Sequence, residues 1–377
     1  MRMVDTREAQ GYRLAQRIVD GDGRTLLATG VPLTAGLCEA LVHRGFMRLF
    51  IEDGISDGVA PENVLVPQTR ALAMQTLRAC LQDLSAGDAP PLHLVTATID
   101  AILADLAAAG DAVLEFAALQ SASAYTYTHS VNVCVYSLLV ARSLGYAPRD
   151  LRVVGAGALL HDVGKLLCAD ICCKPGPLDE EERVRVRQHP QDGFEMLRRH
   201  HELHLFVAHM AFQHHERMDG SGYPRGLRGE QILPCARIVA VVDAYDAMTA
   251  DRPYARARPP DEAMAEILRM TGSALDAVVV QAFMRRMAIY PAGTPVLLAD
   301  GCIGIVVTQT EDPHAPLVRP LARAGHILAH DATRACGTQR ILHTLPRWPT
   351  WLQAAFRTQA TDGNRATTPA GMRSGCV

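Results

Sequence analysis

Residues 214–224, HHERMDGSGYP, set two histidines side by side, follow them with an acid and an arginine, and then turn through Asp219, Gly220, Ser221 and Gly222 to Tyr223 and Pro224. On a helix, His214 and His215 would point about 100° apart. Both can serve one site only where the helix ends against it. The stretch therefore predicts a helix that stops at a cluster of ligands, with Tyr223 presented beside it. Glu216 and Arg217 are expected to pair with each other or to orient the histidines. Gly220 and Gly222 suit a turn with unusual backbone angles, and a purely structural role is the favoured reading for both.

The same residue types recur on either side of this stretch. His129 lies in YTHSVNV, His161 and Asp162 in LLHDVGK, His189 in RQHPQDG and Asp243 in VVDAYDA. Histidine and aspartate supply the nitrogen and oxygen ligands of divalent ions. Each stands on or at the end of a segment that reads as helix, so a bundle could aim them all inward. A lone histidine is more often a surface or hydrogen-bonded core residue. The aspartates are harder to dismiss: Asp162 and Asp243 follow apolar runs, AGALLH and IVAVV, where a buried carboxylate needs a partner or a cation.

The chain has 377 residues, room for one large domain with smaller companions. From about Leu92 to Met287 apolar residues recur at helical spacing, among them Val131, Val135, Leu138 and Leu139, then Leu151, Val154, Leu159 and Val163. Asp179 with Glu182 three positions later predicts a capped helix start, and Asp261 begins another helix. The expected fold class is mainly α, a helical bundle over residues 92–290. Before it, residues 11–53 read as short strands around DGDG, a helix from about Thr34 to His43 and a strand ending at Ile51. This small α/β module is placed at 1–85 with the helix ALAMQTLRACLQDL, and SAGDAPP reads as a linker. After YPAGTP, the runs in VLLADGCIGIVV and PLVRPLAR predict a small β appendage at 291–350. Residues 358–377 have no periodicity and are expected to be disordered.

Composition narrows the function classes. With 37 basic and 40 acidic side chains, a net charge of −3 argues against a large nucleic-acid surface, while a small anionic ligand needs only local charge. No apolar run has signal-peptide or membrane-spanning length, so a cytoplasmic protein without membrane association is expected. Ten cysteines are too sparse for a disulfide scaffold and form no C-x-x-C pair. Cys168, Cys172 and Cys173 cluster in CADICCKPG. Small apolar thiols are the favoured reading, with an oxidation-sensitive site as the alternative.

Taken in order, H-D-x-G-K, H-P, H-H-E-R-x-D-G-x-G-Y-P, D-x-Y-D-A and DRPY resemble the HD-GYP family of the HD metallohydrolase superfamily, over roughly half the chain from about His129 to Met287. The resemblance implies an HD-type helical-bundle domain acting as a metal-dependent phosphodiesterase that opens cyclic di-GMP to linear pGpG, with GMP as a further product in some members. It carries the metal ligands onto His129, His161, Asp162, His189, His214, His215 and Asp243, with Asp162 bridging two ions. Lys165, Tyr223 and Arg252 match its substrate-facing residues, and Asp162 with Lys165 would carry catalysis. On spacing alone, Lys165 could equally be a helix-end lysine serving the dipole. A histidine-rich set with two carboxylates suits iron(II) or manganese(II), and zinc remains compatible. Some members bind a third ion through a glutamate four residues before the first histidine; Tyr125 stands there, so two ions are expected. Competing readings are action on another cyclic dinucleotide, such as cyclic GMP-AMP, and a non-catalytic dinucleotide sensor. A diguanylate cyclase or other signalling protein is a compatible partner, as is a second copy of the chain.

Overall fold

The computed structural model describes residues 1–19, 24–59, 64–110, 125–172, 174, 176–250, 257–310, 312–323, 326–328, 341–345, 349 and 352, without the side chains of Tyr125, Thr126 and Ile327. At the N-terminal end, β1 (Arg2–Asp5), β2 (Arg13–Leu14), β3 (Ile18–Val19), β4 (Thr25–Leu27), α1 (Ala35–His43) and β5 (Arg48–Glu52) follow in turn. Thr34 caps α1 by accepting a hydrogen bond from the Leu37 amide. β5 lies between β1 and β2 in an antiparallel sheet, and its Leu49 and Ile51 pack with Leu14, Ile18, Leu33 and Leu41. A separate β3–β4 hairpin flanks it.

Helices then dominate. α2 (Pro67–Ala86) opens on a proline at its first position, which needs no amide donor there, and closes on Gly87 at φ +86°. α3 (Leu92–Ala108), α4 (Tyr125–Ser143) and α5 (Pro148–Leu160) follow, then a 3-10 helix (Val163–Cys168) and the short α6 (Ala169–Cys172). α7 (Glu180–Val186), α8 (His189–Leu197), α9 (Leu205–Gln213), α10 (Pro234–Thr249), α11 (Pro260–Arg269) and α12 (Ala277–Met284) complete the helical part. The reciprocal box of Asp179 and Glu182 starts α7 as the sequence predicts. Val131, Val135, Leu138, Leu139, Leu151, Val154, Leu159 and Val163 all lie in one large core.

Sequence alone groups α2 with the N-terminal module. Its Ala73, Leu77, Cys80 and Leu84 instead join the helical core beside Ile99 and Leu138, and the helix continues through Ser85 and Ala86 into the expected linker. The reason is the apolar stripe, which finds α3 and α4 rather than the small sheet. Within the bundle, α5 carries glycines where neighbours press closest: a Cβ on Gly157 would lie 2.2 Å from Met210 Sδ. That approach lets α5 and α9 run side by side, so their C-terminal ends, at His161 and His214, meet.

After the bundle, β6 (Pro295–Leu298), β7 (Cys302–Thr308), β8 (Leu317–Arg323), β9 (His326–Ile327) and β10 (Ile341–Thr344) form an antiparallel sheet in the order β10-β6-β7-β8-β9. Pro320 faces Gly304 where the β7–β8 register shifts, the kind of irregularity at which a strand tolerates a proline. Ile55 and Val59 share a small core with Ile305, Leu321 and Leu352, and Arg319 Nη1 donates to the Asp57 carbonyl at 2.8 Å. The N-terminal module thus packs on the β appendage. Residues 358–377 lie outside the described residues. Among those described, no helix is long and apolar enough to cross a membrane.

Candidate metal centre

Helix ends bring the candidate ligands together. His129 lies in the second turn of α4, His161 follows the last residue of α5, and Asp162 precedes the 3-10 helix. His189 is the first residue of α8, His214 follows the last residue of α9, and Asp243 projects from the buried middle of α10. Lys165 therefore sits on a 3-10 turn and not on a continuation of the helix before it. Gly164 explains the change: a Cβ there would lie 2.0 Å from the His189 carbonyl oxygen and 2.6 Å from the Gly193 amide. Only glycine lets this segment lie against α8, and that contact carries Asp162 to His189.

The cluster has two halves. His189, His214 and His215 form one group of converging ligand atoms, and His129, His161 and Asp243 form another. Asp162 stands between them with one oxygen toward each. Its Oδ1 lies 3.2 Å from His189 Nε2 and 3.7 Å from His214 Nε2, while Oδ2 lies 3.4 Å from His161 Nε2 and 3.6 Å from His129 Nε2. Asp243 closes the second half, 3.1 Å from His129 Nε2 through Oδ1, and reaches back toward the first with Oδ2, 3.8 Å from His215 Nδ1.

The tautomers follow from the hydrogen bonds. His161, His189 and His214 each donate from Nδ1 to the carbonyl three residues earlier, Ala158, Val186 and Ala211, at 2.7 to 2.8 Å. A neutral imidazole that donates from Nδ1 keeps a lone pair on Nε2. All three Nε2 atoms point inward, and those of His189 and His214 lie 3.2 Å apart. Two lone pairs at that distance repel unless a proton or a cation lies by them. His161 Nε2 and Asp162 Oδ1 are also buried without a hydrogen-bond partner among the described residues. These orphaned acceptors fit a divalent cation, and the mixed imidazole and carboxylate set suits a transition metal.

Burial would raise the carboxyl of Asp162, but the Lys165 ammonium and the neighbouring His161 outweigh it and hold the group well below the usual range. Asp243 is held down likewise, against burial, by the His129 hydrogen bond and the charge of His215. For His129, burial favours the neutral ring, yet hydrogen bonds to Asp243 and Asp246 prevail and raise it to about 9. For His214, burial prevails over the raising effect of Asp162 and, with the neighbouring His161 and His189, lowers the ring to about 4.

Asp246 supports the cluster, and sequence reasoning missed it. Its Oδ2 accepts from His129 Nδ1 at 2.7 Å and its Oδ1 from Asn132 Nδ2 at 2.8 Å. The signal was present in D-x-Y-D-A, because a second acid three positions after Asp243 shares its helix face. Glu216 also differs from expectation. It makes no ion pair with Arg217 but is buried, accepting from the amides of Arg225 at 2.8 Å and Leu227 at 2.9 Å. Arg217 instead donates to the carbonyls of His214 and Glu216. Satisfying main-chain groups of the turn takes precedence because a buried carboxylate without donors is costly.

The turn itself depends on glycine, as expected: Gly220 has φ +80°, and a Cβ on Gly222 would lie 2.4 Å from the Arg217 amide nitrogen. It delivers Tyr223 against His215, rings 4.7 Å apart and 25° from parallel, with the Arg187 guanidinium 5.2 Å from the tyrosine ring. Lys165 ion-pairs with Asp162 Oδ2 and is partly exposed. Arg252 and the side chain of Tyr125 lie outside the described residues.

Residues 114–279 match the family model described as HD domain. That segment is similar to an HD domain, and its motifs resemble those of the HD-GYP family. The chain is 40% identical over 212 residues to cyclic di-GMP phosphodiesterase PA4108 of Pseudomonas aeruginosa, covering 56% of this chain and 51% of the relative. It is 42% identical over 152 residues to the cyclic di-GMP phosphodiesterase response regulator RpfG of Xanthomonas campestris, covering 40% of each. To 3'3'-cGAMP-specific phosphodiesterase 3 of Vibrio cholerae it is 39% identical over 172 residues, covering 45% of this chain and 37% of that protein. The chain thus spans about half or less of the length of these relatives.

Proposed function

We propose that this chain is a metal-dependent phosphodiesterase that hydrolyses cyclic di-GMP to linear pGpG, with His129, His161, Asp162, His189, His214, His215 and Asp243 holding two divalent cations. The observation that carries this reading is Asp162, whose two oxygens face two groups of ligand atoms and join them through His161 and His214. Iron(II) or manganese(II) is the proposed metal, and zinc is compatible with the same ligands. When bound, two such cations neutralise charge on the phosphate and bring the pKa of an attacking water toward neutrality.

The chain's own residues do the rest. Asp162 fixes the spacing of the two halves. Lys165 can swing its ammonium from Asp162 to a non-bridging phosphate oxygen without leaving its turn. Tyr223, held flat on His215, offers an aromatic face to a purine. Arg252 is proposed to meet the second phosphate or a guanine edge. Tyr125, a poor ligand where some relatives carry glutamate, favours pGpG over GMP as the product. A cytoplasmic address belongs to the same proposal.

A second reading, action on cyclic GMP-AMP, is favoured by the relative of that specificity. The test is an anaerobic assay of purified protein loaded with iron(II) or manganese(II), with both dinucleotides in parallel and products separated by chromatography. Accumulation of pGpG that vanishes in Asp162→Ala supports the proposal. Faster cleavage of cyclic GMP-AMP would move the substrate to the second reading. Failure to cleave either substrate with two ions bound would overturn the enzymatic reading in favour of a sensor.

A further inference from the structure

The segment that carries Lys165 ends in a pair of thiols that the proposed reaction does not use. Cys168 is the last residue of the 3-10 helix and is buried; Cys172 is the last residue of α6 and is partly exposed. Their sulfurs lie 3.7 Å apart, and both cysteines are free. A 3-10 helix has three residues per turn, so Lys165 and Cys168 share one edge of it. Asp162, immediately before the helix, continues that edge in the other direction. One rigid line therefore runs from the shared carboxylate through the lysine to the thiol pair.

We propose that hydrogen peroxide joins Cys168 and Cys172 in a disulfide, and that this bond withdraws Lys165 from the candidate site. A disulfide requires sulfurs at about 2.05 Å, so the pair must close from its present contact and the 3-10 turn must follow. The partly exposed Cys172 is the attacking thiol and the buried Cys168 the resolving one. A hydrogen bond from Cys168, opposed by burial and aided by the Lys165 ammonium, brings Cys172 down to about 7. The same hydrogen bond, with burial, raises Cys168. Arg185, which anchors α7 to the Leu167 carbonyl, adds a second cation beside Cys168.

The chemistry balances in two steps. The Cys172 thiolate attacks one peroxide oxygen, the O–O bond breaks, and the departing hydroxide takes a proton and leaves as water. The resulting sulfenic acid is then attacked by Cys168 sulfur; the S–O bond breaks, and the hydroxyl leaves as a second water with the Cys168 thiol proton. Two thiols lose two electrons, and one peroxide is reduced to two waters.

The test uses the full chain loaded with manganese(II), so that iron oxidation does not confound it. Peroxide-treated protein is alkylated, digested and fragmented by mass spectrometry, and cyclic di-GMP hydrolysis and affinity are measured alongside. Expected is a bond between Cys168 and Cys172 in the wild type and in Cys173→Ser, and none in Cys168→Ser, Cys168→Ala or Cys172→Ser. Hydrolysis should fall about 10- to 100-fold, the scale of misplacing a catalytic group by about 1 Å, and recover with dithiothreitol. The three Cys168 and Cys172 variants should keep their activity through the treatment. A bond between Cys172 and Cys173, or equal inactivation of Cys168→Ser, would overturn the proposal. A bond that forms without changing affinity or rate would overturn its link to Lys165. The effect on hydrolysis rests on the phosphodiesterase reading, but the thiol mapping does not: a reduced protein without activity counts against that reading alone.

Discussion

His129 and His214 belong to one buried cluster, yet the first is oriented by a carboxylate and the second by a main-chain carbonyl. The difference separates the two halves chemically. Around His129, Asp243 and Asp246 raise the imidazole to about 9, so the ring holds a proton until a cation competes for it. Around His214, burial lowers the ring to about 4, and its inward nitrogen is a bare lone pair at neutral pH. His129 can therefore be adjusted by single substitutions of its supporting side chains, although His161 in the same group is held by the Ala158 carbonyl. On the carbonyl side, His189 and His214 move only with the backbone, and Gly164 sets that backbone against His189.

The largest effect should come from removing what the halves share. Asp162→Ala leaves neither half its common oxygen donor, so hydrolysis should fall below detection and the purified protein should hold fewer than two ions by elemental analysis. Retention of both ions would mean that the halves are independent sites. Gly164→Ala comes next. With a Cβ directed at the His189 carbonyl, the 3-10 segment and α8 must separate, at a cost of about 1–3 kcal/mol or more. Thermal unfolding should move down, and metal affinity should fall on the carbonyl side; an unchanged melting temperature would show that the backbone there is not the constraint.

How much of this was legible in the sequence follows the same division. Residue type and spacing offered these seven side chains as candidates, the resemblance of their ordered motifs joined them into one set, and the structure brings all seven together. The fit of α2 into the bundle was not legible, since an amphipathic stripe does not say which neighbour it meets. Nor was the break from α5 into a 3-10 turn, which depends on Gly164 lying so close to His189, far along the chain, that a Cβ there would fall 2.0 Å from the His189 carbonyl oxygen. Glu216 was misread for a related reason: its acceptors are satisfied by amides nine and eleven residues away, and charge pairing with its neighbour was the only local clue.

Asp246→Asn tests the side-chain half directly. The amide keeps the shape but loses the charge, so His129 is oriented by a weaker acceptor. Metal affinity should drop roughly 10- to 100-fold, the range for substituting a carboxylate that supports a metal-bound histidine. A metal-buffered titration reads this, and the fold should survive. If affinity is unchanged, the carboxylate serves only packing, and the contrast between the halves loses its chemical meaning.

Asn132→Ala is the smallest and the most discriminating. The asparagine gives Asp246 one hydrogen bond at 2.8 Å, and hydrogen bonds to charged groups contribute about 1.5–3 kcal/mol. Two facts reduce the net loss. Asp246 keeps its bond to His129, and Asn132 Oδ1 is itself buried without a partner among the described residues, so truncation also removes an unsatisfied acceptor. Affinity should therefore fall only about three- to tenfold, less than for Asp246→Asn, with cyclic dinucleotide binding to the loaded protein unchanged. If instead Asn132→Ala matches Asp246→Asn, the aspartate is held in place by the asparagine and not by the histidine it serves, and the side-chain half extends one layer further into α4.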